Sequence, residues 1–129
     1  MQKGDVFEHT FVITEQIYKG FIDLFNDKNP LHTNAEFAAD KGFESKVMHG
    51  NILNGFVSYF IGECLPLKNV IIQTQEIKYT KPVYLDDSLD FRAEIVDVFE
   101  SVNMMEIKFF FKKQDGIKVA TGKINIGII

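Results

Sequence analysis

The stretch FNDKNPLH, Phe25 to His32, places a carboxylate and an imidazole five residues apart across a proline. Held side by side, such a pair can take and return protons near neutral pH, and groups of this kind contribute on the order of 10²–10⁴-fold each to a rate. In a regular helix the spacing would point Asp27 and His32 about 140° apart, whereas a turn can fold them toward one point. On spacing alone the simpler arrangement is favoured: Asp27 closes an Asx turn and His32 lies at the surface.

A second constellation is HGN, His49 to Asn51, at the start of a long apolar segment. If that segment is helical, free backbone N–H groups and the positive end of the helix dipole meet at Gly50, where an oxygen gaining negative charge would be stabilised. Glycine also lets a ligand approach the backbone closely. A glycine helix start with no ligand is the plainer alternative. Downstream, Asn51, Asn54 and Ser58 follow i, i+3, i+7 spacing and draw a polar stripe along an otherwise apolar rod. That stripe either faces a pocket or bonds backbone and water inside the fold. His9 has no evident partner, and no metal-ligand cluster, phosphate-cradling glycine loop or Cys–His nucleophile pattern stands out.

The elements that must position these residues are legible in the hydrophobic periodicity. Residues 6–13 alternate as an opening strand. Thr14 and Glu15 supply a cap and a first-turn acid for an amphipathic helix over about 15–25, carried by Ile17, Tyr18, Phe21, Ile22 and Phe25. Asn26, Asp27, Asn29 and Pro30 end it. TNAE, Thr33 to Glu36, fits a capping box for a short second helix that Gly42 terminates. From Asn51 to Leu65, Ile52, Leu53, Phe56, Val57, Phe60 and Ile61 leave little of the circumference polar, the mark of a helix wrapped by other structure. After Pro66 the texture becomes β-branched and aromatic. Four strands are broken at Asp86-Asp87, Ser101 to Asn103 and Asp115-Gly116, as in an antiparallel meander with a two-residue hairpin at Asp115-Gly116. One strand, then helices, then four strands describe an α+β domain in which a curved antiparallel sheet wraps a central buried helix.

Composition narrows the function classes. With 129 residues, 46% of them hydrophobic, the chain can bury a substantial core as one domain, 1–129. A net charge of −4 argues against nucleic-acid binding, which needs a basic face to release phosphate counterions. Cys64, the only cysteine, reads as a buried small hydrophobe and rules out an intramolecular disulfide. The N-terminus lacks a signal peptide's apolar core and no run is long enough to span a bilayer, so a cytoplasmic protein without membrane partners is expected.

Taken together, FNDKNPLHTNAEFAADKGFESKVMHGNILNG strongly resembles the hydratase signature of the MaoC-like family, the (R)-specific enoyl-CoA hydratases: D-x-N-P-(L/I)-H, a short helix of E-F-A type, then F and H-G. The resemblance extends over essentially the whole chain, including QEIKYTKPVYLDDSL. It implies a hotdog fold, dimers or dimers of dimers with active sites near the protomer interface, and no cofactor or metal. It places the catalytic aspartate and histidine on Asp27 and His32, the oxyanion-hole N–H on Gly50 and the central-helix serine on Ser58. Asn29 and Pro30 fall where the family shapes its catalytic loop, and Asn29, His49, Asn51 and Ser58 are the expected substrate-contacting residues. The implied reaction is that of a hydro-lyase: reversible syn addition of water to a trans-2-enoyl thioester of CoA or of acyl carrier protein. A 3-hydroxyacyl-[acyl-carrier-protein] dehydratase and a non-catalytic acyl-thioester-binding module are the alternatives.

Overall fold

Alternation of apolar and polar residues builds a single antiparallel sheet in the computed structural model, which describes residues 1–129. Strands β1 (Val6–Val12), β2 (Val70–Tyr79), β3 (Ser88–Phe99), β4 (Met104–Lys113) and β5 (Lys118–Ile128) lie in the order β1-β3-β4-β5-β2. Leu89, Phe91, Ala93 and Ile95 of β3 and Met105, Ile107, Phe109 and Phe111 of β4 point inward at every second position. Cations and acids such as Arg92, Glu94 and Lys108 alternate with them on the outer face.

Helix α1 (Glu15–Phe25) has the predicted boundaries, and the Thr14 hydroxyl caps it by accepting from the Ile17 N–H. Helices α2 (Pro30–Thr33) and α3 (Ala35–Asp40) follow. Helix α4 (Asn51–Tyr59) runs on through one π-helical turn, Phe60–Cys64, to Leu65. It lies on the concave face of the sheet. Phe56 stacks on Phe11 at 4.5 Å between ring centroids, Phe60 meets Phe91 at 4.8 Å, and these rings form one cluster with the inward residues of β3, β4 and β5. Full burial of each such side chain contributes about 1.5–3 kcal/mol. The wrapping is one-sided, however: Asn51, Gly55, Ser58 and Tyr59 face outward, so α4 is buried along a broad stripe and not all round.

Four local expectations are revised. The cap of α3 is Asn34, whose Oδ1 accepts from the Phe37 N–H at 3.0 Å, because Thr33 closes α2 by donating its hydroxyl to Lys28 O and Asn29 O. The β4–β5 turn is a three-residue loop with Gly116 left-handed (φ +86°), not a two-residue one; Asp115 keeps negative φ, which a type I′ turn forbids. The strands are also not a simple meander. β2 pairs with β5 at the far edge, since the connection from Thr80 to Asp87 is occupied elsewhere: Val83 O accepts from the Met48 N–H at 2.9 Å, beneath the cleft described next. Cys64 is only partly buried, against the core.

One glycine in the sheet is required by close approach. A Cβ at Gly122 would fall 2.2 Å from Phe109 Cζ and 2.4 Å from the Glu76 carbonyl oxygen, so the inward Phe109 ring fits only over a residue without a side chain.

Candidate active site

The loop after α1 is built by polar side chains bonding their own backbone. Asn26 ends α1 in the left-handed region (φ 57°) with its N–H on Ile22 O. The Asp27 carboxylate then accepts from the Asn29 N–H at 3.2 Å, and Asn29 Oδ1 accepts from the Leu31 N–H at 2.9 Å to cap α2 at Pro30. These bonds hold the turn that aims His32 back toward Asp27. The Tyr18 hydroxyl donates to His32 O at 2.6 Å, pinning the turn to the body of α1.

His32 Nδ1 lies 2.7 Å from Val47 O. Facing a carbonyl, that nitrogen carries the proton, which leaves Nε2 as an acceptor. His49 Nε2 likewise donates to Asp27 O at 2.9 Å and lies 4.0 Å from the Asp27 carboxylate. The two imidazoles stack with centroids 4.0 Å apart, and Phe21 closes the far side of His49 at 4.6 Å. His49 is 2% exposed, and its Nδ1 is buried without a partner. Asp27, by contrast, keeps 49% of its side chain exposed. The constellation is therefore a half-open carboxylate, a tautomer-fixed histidine and a buried histidine bracing both from beneath.

Asp27, His32, His49, Gly50, Asn51, Tyr79 and Lys81 line one cleft of about 480 Å³. Gly50 opens α4 with no side-chain cap, and its N–H donates to no protein acceptor, so a donor at the helix N-terminus is left for a ligand. A Cβ at position 50 would sit 2.9 Å from Cε1 of Tyr79. The Tyr79 ring therefore packs closely against the glycine.

Two expected contact residues sit elsewhere. Ser58 is exposed and outside the cleft, seven residues and roughly 10 Å further along α4 than Asn51. Asn29 is also outside it, its carboxamide oxygen spent on the α2 cap. Conversely, a metal-type donor set that spacing did not reveal is brought together, with one donor atom each from Asp27, His32 and His49 within 4.8 Å of one another. His32 Nδ1 and His49 Nε2 are turned to carbonyls, leaving His32 Nε2 and the Asp27 carboxylate as the groups open to the cleft.

Sequence reasoning missed Tyr18, the Val47 carbonyl and Tyr79. Tyr79 is joined to α4 by a chain of amides: Gln75 Nε2 donates to Asn54 Oδ1 at 2.5 Å, and Asn54 Nδ2 donates to Asn51 Oδ1 at 2.8 Å and to the Tyr79 hydroxyl at 3.0 Å. Burial pushes the Tyr79 phenol above its usual range, with the Asn54 bond pulling the other way. Polar residues in β2 were the available signal, but nothing in the sequence pairs position 79 with position 50.

A five-stranded antiparallel sheet around one helix, with an Asp–His turn facing a free helix N-terminus, is the hotdog architecture. The MaoC-like domain model matches residues 2–113, and the chain belongs to that family of hydratases and dehydratases. It is similar to the (R)-specific enoyl-CoA hydratase of Aeromonas caviae, 30% identical over 103 residues covering 80% of this chain and 77% of the relative. It is also similar to the mitochondrial 3-hydroxyacyl-[acyl-carrier-protein] dehydratase of Arabidopsis thaliana, 26% identical over 126 residues covering 95% of this chain and 75% of the relative. The solved A. caviae (R)-hydratase superposes with a TM-score of 0.91 at 25% identity, over 100% of this chain and 98% of that one. No helix is long and apolar enough to cross a membrane.

Proposed function

We propose that residues 1–129 form one MaoC-like hotdog domain that adds water reversibly and syn to a trans-2-enoyl thioester, giving an (R)-3-hydroxyacyl thioester. The observation that carries this is the meeting of Asp27, His32 and the free Gly50 N–H in one cleft. A water molecule held between the Asp27 carboxylate and His32 Nε2 attacks C3 while one of these bases takes its proton. C2 receives a proton from the same pair, so no net proton is consumed. The negative charge that develops on the thioester oxygen is met by the Gly50 N–H and the α4 dipole. An apolar groove of about 1060 Å³ between α1 and α4, lined by Ile17, Phe21, Leu24 and Phe56, shares Phe21, Asp27 and Asn51 with the cleft and offers room for an acyl chain.

The thiol carrier is CoA in this proposal, with acyl carrier protein as the second reading because a relative named for that carrier aligns over 95% of the chain. The protein acts in the cytoplasm as a homodimer or a multiple of it. An open β2 edge with Ile71 half exposed, and Leu24 and Phe25 exposed beside the cleft, support self-association.

The test is the loss of enoyl thioester absorbance with crotonyl-CoA, longer trans-2-enoyl-CoAs and the matching carrier-protein thioesters. Asp27→Asn and His32→Ala should each lower kcat by at least about 10²-fold while still folding. Wild type inert on every chain length and carrier would leave only a binding module; variants with full activity would overturn the residue roles.

A further inference from the structure

The Tyr79 hydroxyl lies at the cleft that Asp27 and His32 also line, and its own hydrogen has no protein acceptor. Gln75 donates to Asn54 Oδ1, which turns both hydrogens of the Asn54 carboxamide the other way, one to Asn51 Oδ1 and one to the Tyr79 oxygen. Because the phenol oxygen receives a hydrogen bond from Asn54, its proton must point away from the network. The ring fixes where that proton can go. Cε1 and Cζ lie 2.9 and 3.0 Å from the place a Cβ would occupy on Gly50, so the hydroxyl hangs one bond beyond a carbon that touches the oxyanion-binding glycine. The Tyr79 phenol, raised by burial, also stays protonated throughout the neutral range.

We infer that Tyr79 is a second donor to the thioester carbonyl, its O–H joining the Gly50 N–H on the same oxygen, with Asn54 and Gln75 as the positioning residues that aim it. This rests on the enoyl-thioester reading given above. Two donors on one oxygen divide the charge that develops as water adds to C3. The phenol, a side chain on β2, supplies the one the helix N-terminus cannot. It also gives a reason for an amide chain next to an apolar groove. Asn54 receives from β2 and passes the bond to the same strand four residues on, so strand and helix set the hydroxyl jointly.

The experiment compares wild type with Tyr79→Phe, which keeps the ring over Gly50 and removes only the hydroxyl, and with Gln75→Leu, which releases the Asn54 carboxamide. The readouts are kcat and KM on a trans-2-enoyl-CoA and the absorbance shift of bound 2,4-hexadienoyl-CoA, whose conjugated carbonyl reddens when it accepts strong hydrogen bonds. Tyr79→Phe should lower kcat at least about tenfold with KM changed less than about threefold, up to the 10²–10³ that removal of one donor from an oxyanion hole costs. It should also shrink the red shift, and Gln75→Leu should do both to a lesser degree. A purely structural role for Tyr79 would move thermal stability and KM but leave the shift of bound chromophore intact, and that result overturns the inference. So does a Tyr79→Phe enzyme with wild-type kcat. Wild type that neither turns over enoyl thioesters nor shifts the chromophore overturns the functional reading itself, and this inference with it.

Discussion

The turn from Asp27 to His32 and the sheet formed by β3, β4 and β5 are held by opposite means. The turn buries no large side chain and is fixed by hydrogen bonds between polar side chains and nearby backbone, each about 0.5–1.5 kcal/mol net. The sheet is fixed by interdigitated Phe, Ile and Leu side chains with almost no exposed surface. Loss of one bond in the turn disturbs where two reacting groups point without unfolding anything, whereas a change of one methyl in the sheet is felt by the whole core. Function and stability are thereby assigned to different regions, and substitutions in each should separate cleanly.

The strongest form of that separation is Asp27→Asn, with activity falling at least about 10²-fold at an almost unchanged Tm. Coupled loss of Tm and kcat would show that the turn is structural after all. Next, Gly122→Ala should destabilise by about 2–3 kcal/mol or more, since its Cβ meets the Glu76 backbone as well as the Phe109 ring. Thermal unfolding should show Tm lower by roughly 10 °C, with the residual folded enzyme keeping normal kcat. Tyr18→Phe tests the boundary between the regions: loss of the bond to His32 O should cost about 1 kcal/mol and a few-fold in kcat, measured by denaturant titration and initial rates. Arg92→Ala, which removes an exposed pair with Glu8 on the outer face, should change stability by less than about 0.5 kcal/mol and leave kcat alone.

Much of this was legible in the chain. Helix α1 and its Thr14 cap, the strand-rich second half and the apolar stripe of α4 follow from periods of 3.6 and 2, which are local properties. Asp27, His32 and Gly50 were likewise selected by residue type and by the family resemblance, and they converge on one cleft. Ser58 was selected in the same way and lies outside it, because helical phase fixes a face but not how far along the axis the cleft extends. The α3 cap was misplaced by one residue, since Thr33 and Asn34 both qualify chemically and only the competing bonds of α2 decide between them.

What the sequence determined by itself is the set of elements, the inward and outward residues of each strand, and the chemical groups offered by the Asp27–His32 turn and the α4 N-terminus. These depend on neighbours a few positions away. Tertiary structure alone decided that β2 joins β5, that His49 braces His32 from beneath, that Val47 O fixes the His32 tautomer and that Tyr79 lies on Gly50. Each is a contact between residues 15 to 58 positions apart, and no periodicity in a single chain encodes which distant groups the packing brings together.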